Sequence, residues 1–143
     1  MKNIFLGILL FGSAVWADFI RDDTAEIVTD TQKHLQWQDN NTRILPTGNW
    51  EKALKDCTSL QLGGFTDWRL PNINELISIT NYSLQKDITQ EVFRVTFKRY
   101  YWSSTTVVNS DANAWAINFG DGLSHNPHKS QAYHAIRCVR TAE

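Results

Sequence analysis

The sequence lacks most features that mark a nucleotide-binding or hydrolytic protein. Its 143 residues include only two cysteines and three prolines, with no internal repeat and no low-complexity tract. It has no G-x-G-x-x-G or Walker motif, which excludes the common phosphate-cradling loops. It also has no G-x-S-x-G element, so Ser103 and Ser104 are better interpreted as hydroxyls of a strand than as nucleophiles.

The chain also has little net charge and few apolar runs. The formal charge is −1. Lys2 is the one charged residue within positions 1–17, so the remainder carries −1 − 1 = −2. Nucleic-acid-binding proteins usually show a basic excess, and we therefore expect no nucleic-acid partner. After the first residues no apolar segment reaches the roughly 20 residues needed to span a bilayer.

The first 17 residues have the pattern of a secretory signal peptide. A basic start at Lys2 precedes an apolar run at 4–15, and Val15-Trp16-Ala17 has the small-residue spacing of a cleavage site. The sequence thus predicts a signal peptide at 1–17, a single domain at 18–143, and a secreted or periplasmic location. The alternative is an uncleaved N-terminal anchor.

Cys57 and Cys138 permit one intramolecular disulfide. Export to an oxidising compartment favours that bond, which would contribute roughly 4–5 kcal/mol in the chain-entropy model. The alternative is two buried free thiols. A catalytic cysteine needs a base and an electropositive pocket, and we interpret neither cysteine as catalytic.

Periodicity predicts an α+β fold. Short strands at 25–28 and 34–37 flank a turn. A helix capped by Asn49 then runs to Gly63 and Gly64, with Cys57 on its apolar face. Asn72 and Glu75 have capping-box spacing for a second helix that ends near position 81.

The second half of the chain is strand-like. Residues 100–106 are rich in aromatic and hydroxyl side chains, and Trp115, Ile117 and Phe119 alternate as on one sheet face. Gly120 and Gly122 indicate a tight turn, and residues 135–140 alternate as one further strand. Two helices should therefore flank short antiparallel strands.

Three charged residues near the second helix suggest a structural role. A buried Arg69 would need bidentate acceptors, which Asp67 or Glu75 can supply. We interpret Asp67, Arg69 and Glu75 as a polar staple between loops rather than as an acid–base site. Calcium held by Asp and Asn oxygens is a further alternative, although no EF-hand spacing occurs.

The late loops hold the residues best suited to contact a ligand. They combine amides, a carboxylate, an imidazole, a cation and an aromatic ring, which suits hydrogen bonding together with stacking. The predicted ligand-binding residues are Asn113, Trp115, Asp121, His125 and Lys129. Trp115 is equally consistent with a core position. A competing hypothesis is a metal-assisted enzyme that uses His125, His128 and His134, and a third is a purely structural envelope domain.

Several stretches in this order resemble the Lcl C-terminal domain family. They span nearly the whole of the predicted mature chain, and their combined order is specific although each alone is weak. The stretches are Asp30-Thr31 with Leu35 to Asp39, Trp50 with Ala53 and Cys57, Gly63 to Asn72 with Glu75 and Leu76, Tyr101 to Ser104, Ala114 to Phe119, and Arg137 to Arg140.

The order of helix, cysteine and Arg-Leu-Pro…Glu also looks like the formylglycine-generating enzymes, which have a C-type-lectin-like architecture. The resemblance implies that fold, with two helices flanking short twisted sheets. Those enzymes hold copper with reactive cysteines, whereas Cys57 and Cys138 match structural positions. We therefore expect no cofactor and a non-catalytic domain.

The named member of the Lcl family is an adhesin whose C-terminal domain is linked to polyanionic glycans and trimers. The resemblance implies an adhesin-like recognition domain that binds a glycan or a cell-envelope protein and forms a homo-oligomer, by analogy a trimer.

Overall fold

The computed structural model describes residues 19–40, 46–81 and 92–143. Two sheets and two helices make up these parts of the chain, in an α+β arrangement. The predicted signal peptide at 1–17 lies outside the described residues. Within those residues, no helix is long and apolar enough to cross a membrane.

The first sheet is antiparallel and has four strands in the order β1-β2-β3-β9. It starts with an antiparallel meander, and the last strand joins it from far along the chain. Its members are β1 (Phe19–Asp22), β2 (Ile27–Asp30), β3 (Leu35–Gln38) and β9 (Val139–Thr141). The predicted strands at 25–28 and 34–37 are confirmed, with their bounds shifted by one or two residues.

The second sheet has five strands in the order β4-β8-β5-β6-β7. A long hairpin forms its centre. The strands are β4 (Thr47–Gly48), β5 (Tyr100–Val107), β6 (Ser110–Asn118), β7 (Ser124–His125) and β8 (His134–Ala135). β5 and β8 run parallel through the pair Tyr101 and Ala135. The prediction of purely antiparallel sheets was therefore wrong at this pair.

The segment predicted as one strand at 135–140 is divided between the two sheets. β8 belongs to the five-stranded sheet and β9 to the four-stranded sheet. Between them, the backbone N–H of Ile136 donates to Pro46 and that of Cys138 donates to the side chain of Gln38. The alternation in the sequence reflects burial on both sides of a crossing segment rather than one continuous strand.

The first helix, α1 (Trp50–Thr58), begins as predicted. The Asn49 side chain accepts a hydrogen bond from the N–H of Lys52 at 2.9 Å, which satisfies one free donor of the first turn. The predicted end was wrong, since the helix stops at Thr58. Gly63 and Gly64 instead adopt φ of +62° and +81° in a tight turn that brings Leu62 and Phe65 together.

The second helix, α2 (Ile73–Ser78), has the predicted capping box. The Asn72 side chain accepts from the N–H of Glu75, and the Glu75 carboxylate accepts from the N–H of Asn72, both at 2.8 Å. The helix ends at Ser78, three residues before the predicted end near 81.

Two hydrophobic clusters share the five-stranded sheet. One contains Tyr101, Ile117 and Phe119 with Leu76 of α2. The other contains Trp102, Ala114 and Ala116 with Ala53 and Cys57 of α1, together with Trp68 and Cys138. Because neighbouring residues of a strand point to opposite faces, β5 and β6 supply both clusters at once.

The predicted disulfide joins Cys57 to Cys138 across 81 residues of sequence. Both residues are buried, and among the described residues no cysteine is free. The bond attaches α1 to the segment between β8 and β9. The alternative of two free thiols is therefore wrong for this structure.

The predicted polar staple is divided into two ion pairs. Arg69 donates to both oxygens of Glu75 at 2.7 and 2.8 Å. Asp67 does not pair with Arg69 and instead accepts from Arg140 at 2.7 and 3.1 Å. The Arg69 side chain is also 41% exposed, so the expectation of a buried guanidinium was wrong.

Candidate functional site

Aromatic rings from three strands meet at one end of the five-stranded sheet. The Tyr100 ring centroid lies 5.4 Å from that of His125 and 5.9 Å from that of His134. The Tyr133 ring stacks on His134, with 4.8 Å between centroids and 26° between planes. We call Tyr100, His125, Tyr133 and His134 the aromatic face.

Strand register explains why these rings meet. β5 and β8 are parallel at Tyr101 and Ala135, so the preceding residues, Tyr100 and His134, lie side by side on one sheet face. On β6, Ala116 is paired with both Trp102 of β5 and His125 of β7. The small alanine side chain leaves room for the rings of Tyr100 and His125 to come into contact across β6.

The inner side of the aromatic face is buried, and its outer side is exposed to solvent. His134 is 2% exposed, and its other side contacts the fully buried Trp102 at 4.4 Å between ring centroids. Tyr133 is 60% exposed and His125 is also exposed. The Tyr133 hydroxyl donates to Oε1 of Gln131 at 2.8 Å, which fixes the position of an otherwise exposed ring.

The buried histidine of the aromatic face, His134, is neutral near neutral pH. Burial, together with repulsion from His125, lowers the pKa of His134 to about 4. Its Nδ1 has no hydrogen-bond partner in the described part of the chain. The His134 ring is therefore uncharged near neutral pH and serves as an aromatic base beneath Tyr133.

The structure does not bring the predicted ligand-binding residues into one site. His125 pairs with Ala116 and shares its face. Trp115 is the neighbour of Ala116 on β6, so it lies on the opposite face and is partly buried. Asp121 is exposed, and its carboxylate accepts from the N–H of Leu123 at 2.9 Å within the turn before β7.

Two other predicted residues are engaged in internal contacts. Asn113 donates to the carbonyl of Asn126 at 2.6 Å. Lys129 donates to Thr106 Oγ1 at 2.9 Å, and its Nζ lies 4.0 Å from the centroid of a Trp50 ring. These contacts attach the 126–129 loop to the central hairpin and to the start of α1, which is a structural use of both side chains.

His125, His128 and His134 do not converge on a common point. His134 is enclosed by aromatic rings, whereas the exposed His128 forms a hydrogen bond with Ser130 Oγ at 2.7 Å. Across residues 19–40, 46–81 and 92–143, no group of three His, Cys, Asp or Glu side chains could hold a metal ion. The predicted three-histidine site is therefore not formed.

A second concave surface lies beside β3 and β9. It has a volume of about 430 Å³, and its lining includes Gln36, Phe65, Asp67 and Arg140. The guanidinium of Arg140 lies 3.6 Å from the centroid of Phe65 and binds the side chains of Asp67 and Gln36. These polar groups already bind one another, so the surface is less suited than the aromatic face to accept a ligand.

Sequence reasoning missed Tyr100 and Tyr133. Tyr100 was assigned to a strand and Tyr133 was not singled out. A detectable signal was the sequence Tyr133-His134, in which two aromatic rings precede a segment with a structural cysteine. What could not be detected was the parallel pairing that brings this segment to Tyr100.

The family model described as the Lcl C-terminal domain matches residues 26–140. This match covers both sheets except β1 and the last residue of β9, both helices and the aromatic face. No curated protein matches the sequence.

Proposed function

We propose that this chain, which belongs to the Lcl C-terminal domain family, is an exported, non-catalytic recognition domain whose aromatic face binds a glycan. The observation that carries the proposal is the exposed Tyr133 ring stacked on a buried, neutral His134. Family membership is consistent with this function but does not identify the ligand.

An exposed and fixed aromatic ring suits the apolar face of a sugar. A Tyr ring offers a flat surface for stacking and a hydroxyl for hydrogen bonding. Here the ring is held by His134 on one side and by Gln131 at its hydroxyl. A ring that is already fixed loses little conformational freedom when a ligand binds, which favours affinity.

The neighbouring groups offer hydrogen bonds without a strong charge. His125 is exposed next to Tyr100, and the amide of Gln131 lies beside the Tyr133 hydroxyl. Such a mixture of apolar surface and a few polar groups is typical of small-molecule recognition sites. A cell-envelope protein is the alternative occupant, and the binding experiment separates it from a glycan.

The test uses the oxidised, secreted protein and the variant Tyr133→Ala. An immobilised glycan panel identifies ligands, and calorimetry measures the dissociation constant for the best one. We expect Tyr133→Ala to weaken binding roughly tenfold, because an aromatic stacking contact contributes on the order of 1 kcal/mol beyond the apolar area that it buries. Tyr133→Phe keeps the ring and should retain most of the affinity.

Two comparisons make this experiment specific. Val108→Ala removes a side chain that is 82% exposed at the tip of the β5–β6 hairpin, and it should leave binding unchanged. Trp115→Ala combined with Lys129→Ala tests the loop residues predicted from the sequence. If that double variant binds weakly while folding normally and Tyr133→Ala binds normally, the aromatic face is not the recognition site.

Two further outcomes bear on the proposal. Failure to bind any glycan, with capture of an envelope protein that Tyr133→Ala abolishes, would replace the glycan by a protein partner. Light scattering of the same samples tests the trimer, which we propose from family membership alone.

A further inference from the structure

Asn118 presents a hydrogen-bond donor beside the aromatic face. It lies on β6 directly opposite Tyr100 of β5, so the two side chains share one face of the sheet. Its Oδ1 accepts from the N–H of Gly120 at 2.7 Å, which fixes the orientation of the amide. Nδ2 has no partner among the residues that the structure describes, and the side chain is only partly buried. Asn118 therefore offers a fixed donor to a ligand.

An exposed apolar side chain lies across from this donor. The N–H of Asn118 donates to the carbonyl of Leu123 at 2.9 Å, which continues the register in which Ala116 pairs with His125. Leu123 precedes His125 by two residues and so lies on the same face as His125 and Asn118. The Leu123 side chain is 61% exposed.

Gly120 permits the hydrogen bond that holds the amide. A β-carbon at this position would lie 3.1 Å from Asn118 Oδ1 and 3.1 Å from the β-carbon of Lys98. Both contacts are tighter than ordinary van der Waals contact, so a side chain here would displace the Asn118 oxygen. The glycine thus has a role in positioning Asn118 as well as in the turn.

The charge around this amide is balanced. Neither the aromatic face nor Asn118 or Leu123 contributes a lysine, arginine, aspartate or glutamate side chain. Lys98 and Asp121, which are opposite in sign, flank the turn beside them. A charged ligand group would lose water without gaining a dedicated counter-ion, so this surface favours an uncharged group.

We infer that Tyr100, Asn118 and Leu123 form a subsite for the acetamido group of a 2-acetamido sugar. The inference rests on the proposed glycan-binding function and names the class of glycan. The acetamido carbonyl accepts from Asn118 Nδ2, and the methyl group packs against Leu123. A hydroxyl would satisfy the donor but would leave Leu123 uncovered. Because the rings of Tyr133 and Tyr100 both contact His134, an oligosaccharide can cover Tyr133 and this subsite together.

Three tetrasaccharides with the same β-1,4 backbone test the inference. They are chitotetraose, cellotetraose and the fully deacetylated chitosan tetramer, which carry an acetamido, a hydroxyl and a cationic amino group at the same ring carbon. Calorimetry with the oxidised protein should give a dissociation constant for chitotetraose roughly tenfold lower than for cellotetraose, since only the acetamido group both accepts the hydrogen bond and buries a methyl group.

The outcomes separate this inference from the proposed function. Equal affinity for chitotetraose and cellotetraose would overturn the acetamido subsite and leave glycan binding intact. Binding of another glycan through Tyr133, without binding of chitotetraose, would do the same. Failure to bind any glycan would overturn both.

Asn118→Asp tests the donor itself. The variant keeps an oxygen that accepts from the N–H of Gly120, and it replaces the free donor with a negatively charged acceptor. We expect chitotetraose to bind at least tenfold more weakly and the cationic tetramer to bind more tightly, so that the preference reverses. Equal weakening of all three tetrasaccharides would assign Asn118 a structural role and would overturn the inference.

Asn109→Asp is the matched control. It makes the same chemical change on an exposed residue with φ of +63°, a conformation that aspartate tolerates, at the far end of β6 about 30 Å from Asn118. The preference among the three tetrasaccharides should persist. A reversal in this variant would indicate a general charge effect and would contradict the subsite.

Leu123→Ala tests the methyl contact in a variant that changes only an exposed side chain. It should lower the preference for chitotetraose over cellotetraose roughly fourfold, because the acetamido methyl group loses its apolar neighbour. This measurement also decides the question if Asn118→Asp does not fold. An unchanged preference would show that Leu123 takes no part in recognition, and would overturn the subsite as described.

Discussion

The two faces of the five-stranded sheet are built from alternate residues of the same strands, but one face is fully buried and the other is partly exposed. On one face Tyr101, Ile117 and Phe119 are at most 2% exposed and pack with Leu76 of α2. On the other, Trp102 and Ala116 are buried with residues of α1, Tyr100 packs partly buried against the same cluster, and the neighbouring His125 is exposed. The comparison shows that one face is covered throughout, whereas the other passes along the same strands from a buried core to an open aromatic surface.

The largest expected effect is on the fully covered face. Phe119→Ala should lower the free energy of unfolding by about 3–5 kcal/mol, because it leaves a cavity beside Tyr101, whose ring centroid lies 4.6 Å away. Tyr133→Ala on the open face should change stability by less than about 0.5 kcal/mol. Urea unfolding measures both, and equal losses would mean that the two faces do not differ in this way.

The next effect concerns the attachment of α1. Replacing Cys57 and Cys138 together with alanine should lower the free energy of unfolding by about 2–5 kcal/mol, the upper end being the chain-entropy value for an 81-residue loop. Reduced wild-type protein is the control and should show a similar loss. A double variant as stable as the oxidised wild type would indicate that packing alone holds α1.

A pH-dependent effect should come from His134 beneath the open face. Its pKa is lowered from 6.5 to about 4 in the folded state, chiefly by burial. The unfolded chain therefore binds a proton more readily, and stability should fall as pH decreases from about 6.5 to 4. We expect a loss on the order of 2 kcal/mol from this group.

His134→Phe isolates this contribution. The variant keeps an aromatic ring and should lose less stability than the wild type across that pH interval, measured by urea titration at each pH. Asp67 and Glu75, whose pKa values are lowered from 3.8 and 4.5, lose their contributions near and below those values, and we expect them to do so equally in the wild type and in the variant. Parallel profiles for both proteins would assign the acid sensitivity to other groups.

The smallest expected effect is at Arg69, which pairs with the start of α2. Arg69→Ala should lower the free energy of unfolding by about 0.5–1 kcal/mol, because the pair with Glu75 is bidentate but the guanidinium is 41% exposed. Burial opposes ionisation of Glu75, and the bonds from Arg69 and Asn72 outweigh it, so its pKa stays low.

Lys52→Ala is the comparison for Arg69, since it removes an exposed pair with Asp56 on α1. It should cost no more than about 0.5 kcal/mol. Calorimetry of both variants checks which loss of stability is larger. A loss above about 2 kcal/mol for Arg69→Ala would support the original prediction that Arg69 acts as a buried staple.

Local signals were sufficient to predict the beginnings of both helices. Asn49 and the pair of Asn72 and Glu75 act through contacts within three residues, so their pattern is visible in the sequence. The end of α1 was missed because Gly63 and Gly64 were needed for a turn five residues beyond it. A glycine pair alone does not show whether it ends a helix or forms a separate turn.

Contacts that are distant in the sequence limited the prediction of the site. Arg140 and Asp67 are 73 residues apart, and no local sequence pattern indicated that Asp67 would pair with Arg140 rather than with Arg69. The aromatic face depends on the parallel pairing of β5 with β8. The disulfide was predicted because two cysteines behind a predicted signal peptide allow only one intramolecular pair.

The crossing segment between β8 and β9 has a consequence for synthesis. β3 pairs with β9, and Gln36 is separated from its partner Arg140 by 104 residues. At roughly 5–20 residues per second, a ribosome needs about 5–20 s to make the intervening chain. During that time the edge of β3 that later pairs with β9 has no native partner, and it is open to pairing with other chains. Folding of both sheets must therefore wait until the residues of β8 and β9 have been made.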